Sequence, residues 1–383
     1  MQIPEQTPTL TDGADPDRIT LRPHRPADVD DVLASCQDAE TQAWTTVPAP
    51  YTRADAEAFV AGHAPNLHEG TVSFAVEAVD DATGRPRFAG SVSLRRSNGA
   101  GGLGFSLASW ARGRGVMSRA VRLLLEWAFA AQTDGGAGLD VVHWEAYVGN
   151  WPSRRVAWAC GFRVEGVVRG FGHQRGERRD SWVGSLVRGE PMAPASPWLD
   201  AAVLTGEHVV LRPWREDDAA RVAEACSDPR TQHWLAQLPS PYTVADAQWY
   251  IRSREEEHAA GRGVYWCVAD ATDDQCLGAI SVMRLDAPLS EAEIGYWAHP
   301  DARGRGVMTQ AARLVARHTL LPYEDGGLGH HRVSLRAAAG NVASNRVAQA
   351  AGLVRVGLAR GSDLLRDGSR DDHVLYDLLA TEI

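Results

Sequence analysis

Two apolar runs with the period of an α-helix stand at equivalent places in the two halves of the chain. They consist of Met117, Ala120, Val121, Leu124 and Ala128, and of Met308, Ala311, Ala312, Val315 and Thr319. Such spacings place all five side chains on one face, so each run predicts a helix packed on a core. A shorter apolar segment precedes each run, at 103–107 and 293–297, and predicts a strand.

The turn between strand and helix has the same six residues in both halves. It reads Arg112-Gly113-Arg114-Gly115-Val116-Met117 in the first half and Arg303-Gly304-Arg305-Gly306-Val307-Met308 in the second. Glycine lets the backbone approach a ligand closely, and the first amides of a helix have no partner within the helix. The sequence therefore predicts two anion-binding turns.

The repeat extends through nearly the whole chain. Matching segments include Leu21-Arg22-Pro23 with Leu211-Arg212-Pro213, Pro50-Tyr51-Thr52 with Pro241-Tyr242-Thr243, and Gly149-Asn150 with Gly340-Asn341. The offset is 190 near the start (211 minus 21) and 191 later (303 minus 112), which indicates two complete domains. We predict a disordered tail at 1–17, domains at 18–189 and 206–383, and a proline-rich linker at 190–205.

Both copies follow the same order of strands and helices. Predicted strands are 19–22, 72–79, 88–94 and 141–148 in the first copy and 209–212, 264–269, 277–285 and 332–338 in the second. Further helices are predicted at 27–37, 52–61, 151–160, 217–226, 243–258 and 342–351, with loops around Trp44 and Trp234. The pattern predicts an α/β fold, in which a mixed and mostly antiparallel sheet is flanked by helices.

Composition limits the function classes. The 383 residues carry a formal charge of −10, which argues against a broad basic surface for nucleic acid or anionic lipid. Five cysteines without a CxxC pair indicate free thiols, and we expect no metal site. The start of the chain lacks the features of an export signal, and no stretch is apolar enough to span a membrane. We therefore expect a cytoplasmic protein without membrane or nucleic-acid partners.

A second motif begins a later helix in each copy. It reads Asn150-Trp151-Pro152-Ser153 in the first and Asn341-Val342-Ala343-Ser344 in the second. Asparagine is a preferred N-cap residue, so helix capping alone accounts for Asn150 and Asn341.

These motifs together resemble the GNAT acyltransferase superfamily, and within it the branch that acetylates N-terminal amines of ribosomal proteins and, in relatives, small-molecule amines. The resemblance implies that each glycine turn holds the pyrophosphate of acetyl-CoA through main-chain amides. It also implies that Asn150 and Asn341 contact the cofactor arm, and that Ser153 and Ser344 return a proton to the departing thiolate. Met117 and Met308 depart from the superfamily pattern, in which glycine or alanine is usual at the sixth position of the turn.

Acetylation of an amine also requires a base, because an ammonium group has no lone pair. Glu293 heads the strand before the second turn, where the first copy has Gly102. Glu145 lies on the later strand of the first copy, where the second has Arg336. Either carboxylate is a candidate base, and either has the simpler interpretation of an exposed strand residue. Glu293 favours the second domain as the catalyst; Asp180 and Asp372 are weaker candidates.

The sequence thus predicts an enzyme that transfers acetyl from acetyl-CoA directly to a primary amine, with no metal and with one or both domains active. The acceptor would be a small molecule or a peptide N-terminus. A non-catalytic CoA-binding or scaffold protein is the alternative. The tandem domains predict either a monomer that contains an internal pseudo-dimer or a homodimer.

Overall fold

A computed structural model of the protein describes residues 7–13, 17–62, 70–287 and 292–383. The chain forms two compact units, Met1–Ala195 and Ser196–Ile383. Each is described below by itself.

The first unit has eight strands and five α-helices in its described residues. The strands are β1 Leu10–Asp12, β2 Ile19–Arg22, β3 Thr71–Asp80, β4 Arg85–Ser97, β5 Ala100–Leu107, β6 Val141–Tyr147, β7 Arg163–Gln174 and β8 Glu177–Val187. The helices are α1 Val29–Gln37, α2 Ala39–Trp44, α3 Arg53–Gly62, α4 Val116–Phe129 and α5 Trp151–Ala159.

The second unit repeats this arrangement over its described residues. Its strands are β9 Leu204–Thr205, β10 Val209–Arg212, β11 Gly263–Asp270, β12 Cys276–Met283, β13 Ala292–Ala298, β14 Arg332–Ala338, β15 Val354–Leu364 and β16 Arg370–Leu379. Its helices are α6 Ala219–Ser227, α7 Pro229–Trp234, α8 Val244–Ala259, α9 Val307–Leu320 and α10 Val342–Ala350.

Each sheet is antiparallel except at one pair of strands near its centre. The order is β1-β2-β3-β4-β5-β6-β8-β7 in the first unit, and the second unit has the equivalent order. The parallel pair is β5 with β6 and, in the second unit, β13 with β14. The mixed, mostly antiparallel sheet predicted from the sequence is confirmed.

The parallel pairing is short, and this opens each sheet. In the first unit it ends at Leu103 opposite Trp144, although both strands continue. In the second unit it ends at Ile294 opposite Leu335. Beyond these residues the two strands are not paired with each other in either register, and we call the unpaired stretch between them the cleft.

Helices cover both faces of the first sheet. On one face, α4 and α5 pack on a core that includes Leu103, Phe105, Trp144 and Ala146. On the other, α1 and α3 pack on Ala75 and Phe88. Because side chains alternate along a strand, Gly104, Ser106 and Glu145 face the α1/α3 side. In the second unit Ile294 and Tyr296 pack toward α9, whereas Trp297 packs on the α6/α8 side.

Three parts of the sequence prediction differ from the structure. The predicted tail contains β1, which pairs with β2 and is held by the ion pair between Asp12 and Arg119; residues 1–6 and 14–16 lie outside the described residues. The predicted linker ends in β9, which pairs with β10. The predicted loops around Trp44 and Trp234 are the short helices α2 and α7, capped by Asp38 and Asp228. A six-residue helix shows too little periodicity to be recognised.

A buried ion pair supports the start of the first unit. Arg22 donates two hydrogen bonds of 2.8 Å to Asp28, and both side chains are buried. Burial acts to raise the pKa of Asp28, but the hydrogen bonds from Arg22 and the Arg25 amide outweigh it and lower the pKa. Arg212 and Asp218 repeat this pair in the second unit.

Asp28→Asn is expected to destabilise the first unit by about 3 kcal/mol, the lower end of the range for a broken buried ion pair. Buried Arg22 would lose the more buried of two charged partners and keep Glu77. Since the folded pKa of Asp28 is depressed, its contribution is present above the unfolded pKa of about 3.9 and is lost as the pH falls through the lower folded value. Urea unfolding of the wild type and the variant at a series of pH values from about 2 to about 7 measures both effects. A variant as stable as the wild type at neutral pH would contradict this assignment.

Candidate active site

The two glycine turns lead into helices α4 and α9. Gly113 and Gly115 have φ values of +74° and +72°, and Gly304 and Gly306 have values of +75° and +76°. Other residues rarely adopt this left-handed conformation, which explains the glycines directly. Each helix begins at a glycine N-cap, and within the described chain no side chain caps either one. The first amides of both helices are therefore available to an anion.

The arginines of the turns are engaged with carboxylates. Arg112 binds Asp38, Glu40 and Thr41, and it lowers the pKa of Asp38. Arg114 binds Asp81. In the second unit Arg303 binds Asp228, and Arg305 binds Asp270. These contacts hold each turn in place and leave its backbone, rather than its guanidinium groups, as the open part. The predicted roles of Val116, Met117, Val307 and Met308 likewise depend on their amides, since the four side chains are buried.

Ser153 and Ser344 lie beside the clefts, on the faces covered by α5 and α10. The indole Nε1 of Trp144 donates to Ser153 Oγ over 3.1 Å. Ser344 Oγ lies 2.9 Å from the hydroxyl of Tyr296, which also donates to the Ser344 carbonyl over 3.1 Å. Burial raises the pKa of Tyr296 to about 12. Sequence reasoning missed Trp144 and Tyr296, because their contacts depend on the strand register.

Asn150 and Asn341 cap their own helices. The Oδ1 of Asn150 accepts from the Ser153 amide, and that of Asn341 accepts from the Ser344 amide, each over 3.2 Å. Helix capping, the simpler interpretation of Asn150 and Asn341, therefore accounts for the Oδ1 atom of each. By fixing the first turn of its helix, each asparagine also positions the serine next to the cleft.

The two candidate bases have different surroundings. Glu145 lies one residue past the end of the β5–β6 pairing, is exposed, and accepts a hydrogen bond of 3.1 Å from Ser181. Glu293 accepts hydrogen bonds from Arg336 at both carboxylate oxygens, over 3.0 and 2.7 Å. Glu293 is thus held in a bidentate ion pair. Asp180 and Asp372 accept from the amides of the closing hairpins, at Gly170 and Gly361.

One group of residues has the composition of a metal site. The ligand atoms of Asp218, Cys267 and Cys276 lie within 4.8 Å of one another. However, Arg212 occupies both oxygens of Asp218. A hydrogen bond with Cys276 and burial raise the pKa of Cys267, which favours the neutral thiol over the thiolate that metals require. The local chemistry is that of a buried dithiol beside an ion pair.

A family comparison assigns the two units. The model of the acetyltransferase (GNAT) domain matches residues 18–163 and 208–354, once in each unit and over more than half of the chain. The chain belongs to the GNAT acetyltransferase family. It is an enzyme of the GNAT type with two tandem domains, as the sequence predicted.

Each of the following GNAT relatives matches less than half of this chain. A Bacillus subtilis (strain 168) protein named "Putative ribosomal N-acetyltransferase YdaF" is 32% identical over 180 residues, which are 46% of this chain and 93% of that protein. The ribosomal-protein-serine acetyltransferase of Escherichia coli (strain K12) is 31% identical over 104 residues, 27% of this chain and 55% of that protein. The structure of Mycobacterium smegmatis RimJ in complex with CoA-disulfide is 22% identical, with a TM-score of 0.42, and the match covers 49% of this chain and 90% of that one.

A helix that spans a membrane needs about 20 consecutive, mostly apolar residues. Among the described residues, no helix is both long and apolar enough to cross a bilayer.

Proposed function

We propose that the protein is an acetyl-CoA-dependent N-acetyltransferase that transfers acetyl directly to a primary amine. The observation that supports this most strongly is the uncapped glycine turn at the mouth of a divided sheet. The turn offers amides to a diphosphate, and the cleft offers unpaired strand edges to an extended cofactor arm. Hydrogen bonds to a charged acceptor contribute about 1.5–3 kcal/mol each, so several amides suffice to hold the diphosphate.

Donor and acceptor would approach the cleft from opposite faces. The turn, Ser153 and α5 lie on the α4 side of the sheet, whereas Glu145 faces the α1/α3 side. When bound, acetyl-CoA supplies an activated thioester. Glu145 removes a proton from the ammonium form of the acceptor, directly or through water, and the free amine attacks the thioester carbon.

The nitrogen of the resulting adduct gives up a second proton to solvent, and collapse of the adduct breaks the carbon–sulfur bond and leaves an amide and a thiolate. Ser153 donates its hydroxyl proton to that sulfur. Because Trp144 donates to Ser153 Oγ, the serine proton is free to point elsewhere, toward the cleft. The serine recovers its proton from solvent, and Glu145 releases to solvent the proton that it took from the ammonium group. The chain is then unchanged, and one turnover releases one net proton.

The names of the relatives support an amine on a protein as one form of the acceptor. YdaF and the Escherichia coli enzyme are named for ribosomal proteins. Small-molecule amines present the same reacting group.

Ser153→Ala is expected to lower kcat by roughly 10²-fold, at the lower end of the range for a positioned acid, because water can supply the proton less effectively. The KM for acetyl-CoA should change little, since the Asn150 cap remains. Steady-state thiol release at varied acetyl-CoA concentration measures both quantities. An equal loss in kcat and in donor affinity would indicate a binding role for the serine instead.

A non-catalytic CoA-binding protein is the second candidate, and it is supported by the ion pair that holds Glu293, the candidate base of the second unit, against Arg336. The two are separated by titration calorimetry with acetyl-CoA followed by a thiol-release assay with added amines. The enzyme binds the donor and releases thiol only when an amine is present. A protein that binds the donor yet releases no thiol with any amine supports the scaffold.

A further inference from the structure

The first unit contains a cavity on the α1/α3 face of its sheet. It has a volume of about 290 Å³, and its lining includes Ser91 and Ser106 from the sheet, Phe59 and Phe88 as apolar walls, and Asp55. Ser106 lies on β5, three residues beyond the last one paired with β6. The cavity is therefore on the face of Glu145 and follows the strand that borders the cleft.

The lining of the cavity is mainly apolar and includes the carboxylate of Asp55. Two of its polar side chains, Cys36 and Tyr51, have pKa values that burial raises, so both are neutral at physiological pH. The carboxylate of Asp55 accepts from the hydroxyl and the amide of Thr52, and these bonds lower its pKa. A compact apolar group fits the walls, and a cationic amine suits the negative charge.

The equivalent position in the second unit is filled. Ser106 pairs with Ser91 across β5 and β4, and the matching pair on β13 and β12 is Trp297 with Ala279. The indole of Trp297 packs among Cys267, Ala269 and Cys276. Trp214 lies against it, with ring centroids 6.4 Å apart. The second unit therefore has an indole at the strand position where the first has the cavity-lining Ser106.

The partners of the two candidate bases also favour the first unit as the catalyst. Glu145 faces the cavity side of the first sheet and has Ser181 as a neutral partner. The second unit has Arg336 at the position of Glu145 and Glu293 at the position of Gly102. Arg336 donates to both carboxylate oxygens of Glu293. Proton removal by Glu293 would first require that this ion pair be broken.

The proton donors differ as well. In the first unit Trp144 donates to Ser153 Oγ and leaves the serine proton available. In the second, the Tyr296 hydroxyl lies within hydrogen-bond distance of both the carbonyl and the Oγ of Ser344, and either hydroxyl can be the donor. Ser344 Oγ therefore has a partner that can accept its proton, whereas the indole beside Ser153 can only donate.

From these three differences we infer that the first unit performs acetyl transfer, that its cavity takes a primary amine attached to a compact apolar group, and that the second unit is closed to acceptors. This inference rests on the proposed function. It reverses the preference for the second domain that Glu293 gave at the level of sequence. A cavity of about 290 Å³ lies at the lower end of the range for ligand pockets, which favours a group of the size of a phenyl or isobutyl side chain.

The test uses the full chain with acetyl-CoA and four acceptors, and it follows thiol release. Phenethylamine and a short peptide with N-terminal leucine carry the apolar group on a small molecule and on a peptide. Spermidine and a peptide with N-terminal glycine lack it. The wild type is expected to prefer the first two in kcat/KM, and the better of these two identifies the source of the acceptor.

Ser106→Trp gives the first unit the residue that the second has at the matching position, Trp297. It is expected to lower kcat/KM for the apolar amines by roughly 100-fold, because the acceptor is no longer positioned in the cavity. Donor binding, measured by calorimetry, should be unchanged. Ala58→Trp narrows the cavity at a residue whose counterpart, Trp249, is 69% exposed, and it replaces Ser106→Trp if that variant fails to fold. Trp297→Phe, in the second unit, should keep the wild-type rate.

The outcomes separate the two proposals. If the wild type releases no thiol with any amine, the proposed function fails. If the wild type does release thiol, but folded Ser106→Trp and Ala58→Trp keep full activity, the assignment of the cavity is wrong while the proposed function stands. Loss of activity in Trp297→Phe would place the reaction in the second unit. A preference for spermidine would overturn the apolar acceptor.

Discussion

Glu145→Gln is expected to lower kcat by about 10²–10⁴-fold, the range for loss of a positioned general base. Glutamine keeps the size of the side chain and can still accept a hydrogen bond from Ser181, so the change removes the proton acceptor and little else. The residual activity should then follow the fraction of the acceptor amine that is deprotonated. For an alkylamine such as phenethylamine, it should rise about tenfold per pH unit below the amine pKa of about 10. Rate profiles between neutral and alkaline pH measure this slope.

Glu293→Gln is the informative comparison. Its expected effect is on stability, because Arg336 loses a charged partner at a half-exposed site, and this effect is small. If Glu293→Gln abolishes turnover while Glu145→Gln does not, the reaction belongs to the second unit. If the double variant keeps the wild-type rate, neither carboxylate is the base.

Gly115→Val is expected to remove donor binding from the first unit and with it most of the turnover. A β-branched residue is strained at a φ of +72°, so the turn must rearrange and its amides lose their alignment. The space beside Gly115 is also open, with no described atom within 4 Å of where a Cβ would stand. A side chain there would project into the space in which we propose that the diphosphate binds.

Gly306→Val makes the same change in the second unit, where φ is +76°. The number of acetyl-CoA equivalents bound, measured by calorimetry, is expected to fall by one in each variant. Only Gly115→Val should lose turnover. Unchanged stoichiometry in both would show that the glycine turns do not bind the donor. The reverse pattern of turnover would assign catalysis to the second unit.

The strands, helices and turns could be predicted because they depend on local pattern and on the repeat. The period of the apolar residues located α4 and α9, and the glycines located the uncapped helix starts. The serines could be placed on a helix for the same reason, since Asn150 and Asn341 are strong N-cap residues.

The difference between the units could not be predicted because it depends on which side chains meet across strands. Glu293 stood out as a lone carboxylate in the sequence, but register places Arg336 opposite it. Ser106 and Trp297 occupy matching positions, but only the packing shows that Ser106 borders a cavity and that Trp297 lies against Cys267 and Cys276. The short helices α2 and α7 were missed for a different reason, since six residues carry little periodicity.

The most direct test of acetyl transfer to an amine follows the acetyl group itself. The full chain is mixed with acetyl-CoA labelled in the acetyl group and with phenethylamine, and both products are quantified by mass spectrometry and thiol assay. The account predicts that labelled N-acetyl phenethylamine and free CoA form in equal amounts, and that the chain itself acquires no label. Release of CoA without labelled amide, or label that accumulates on the protein before it reaches the amine, would contradict direct transfer.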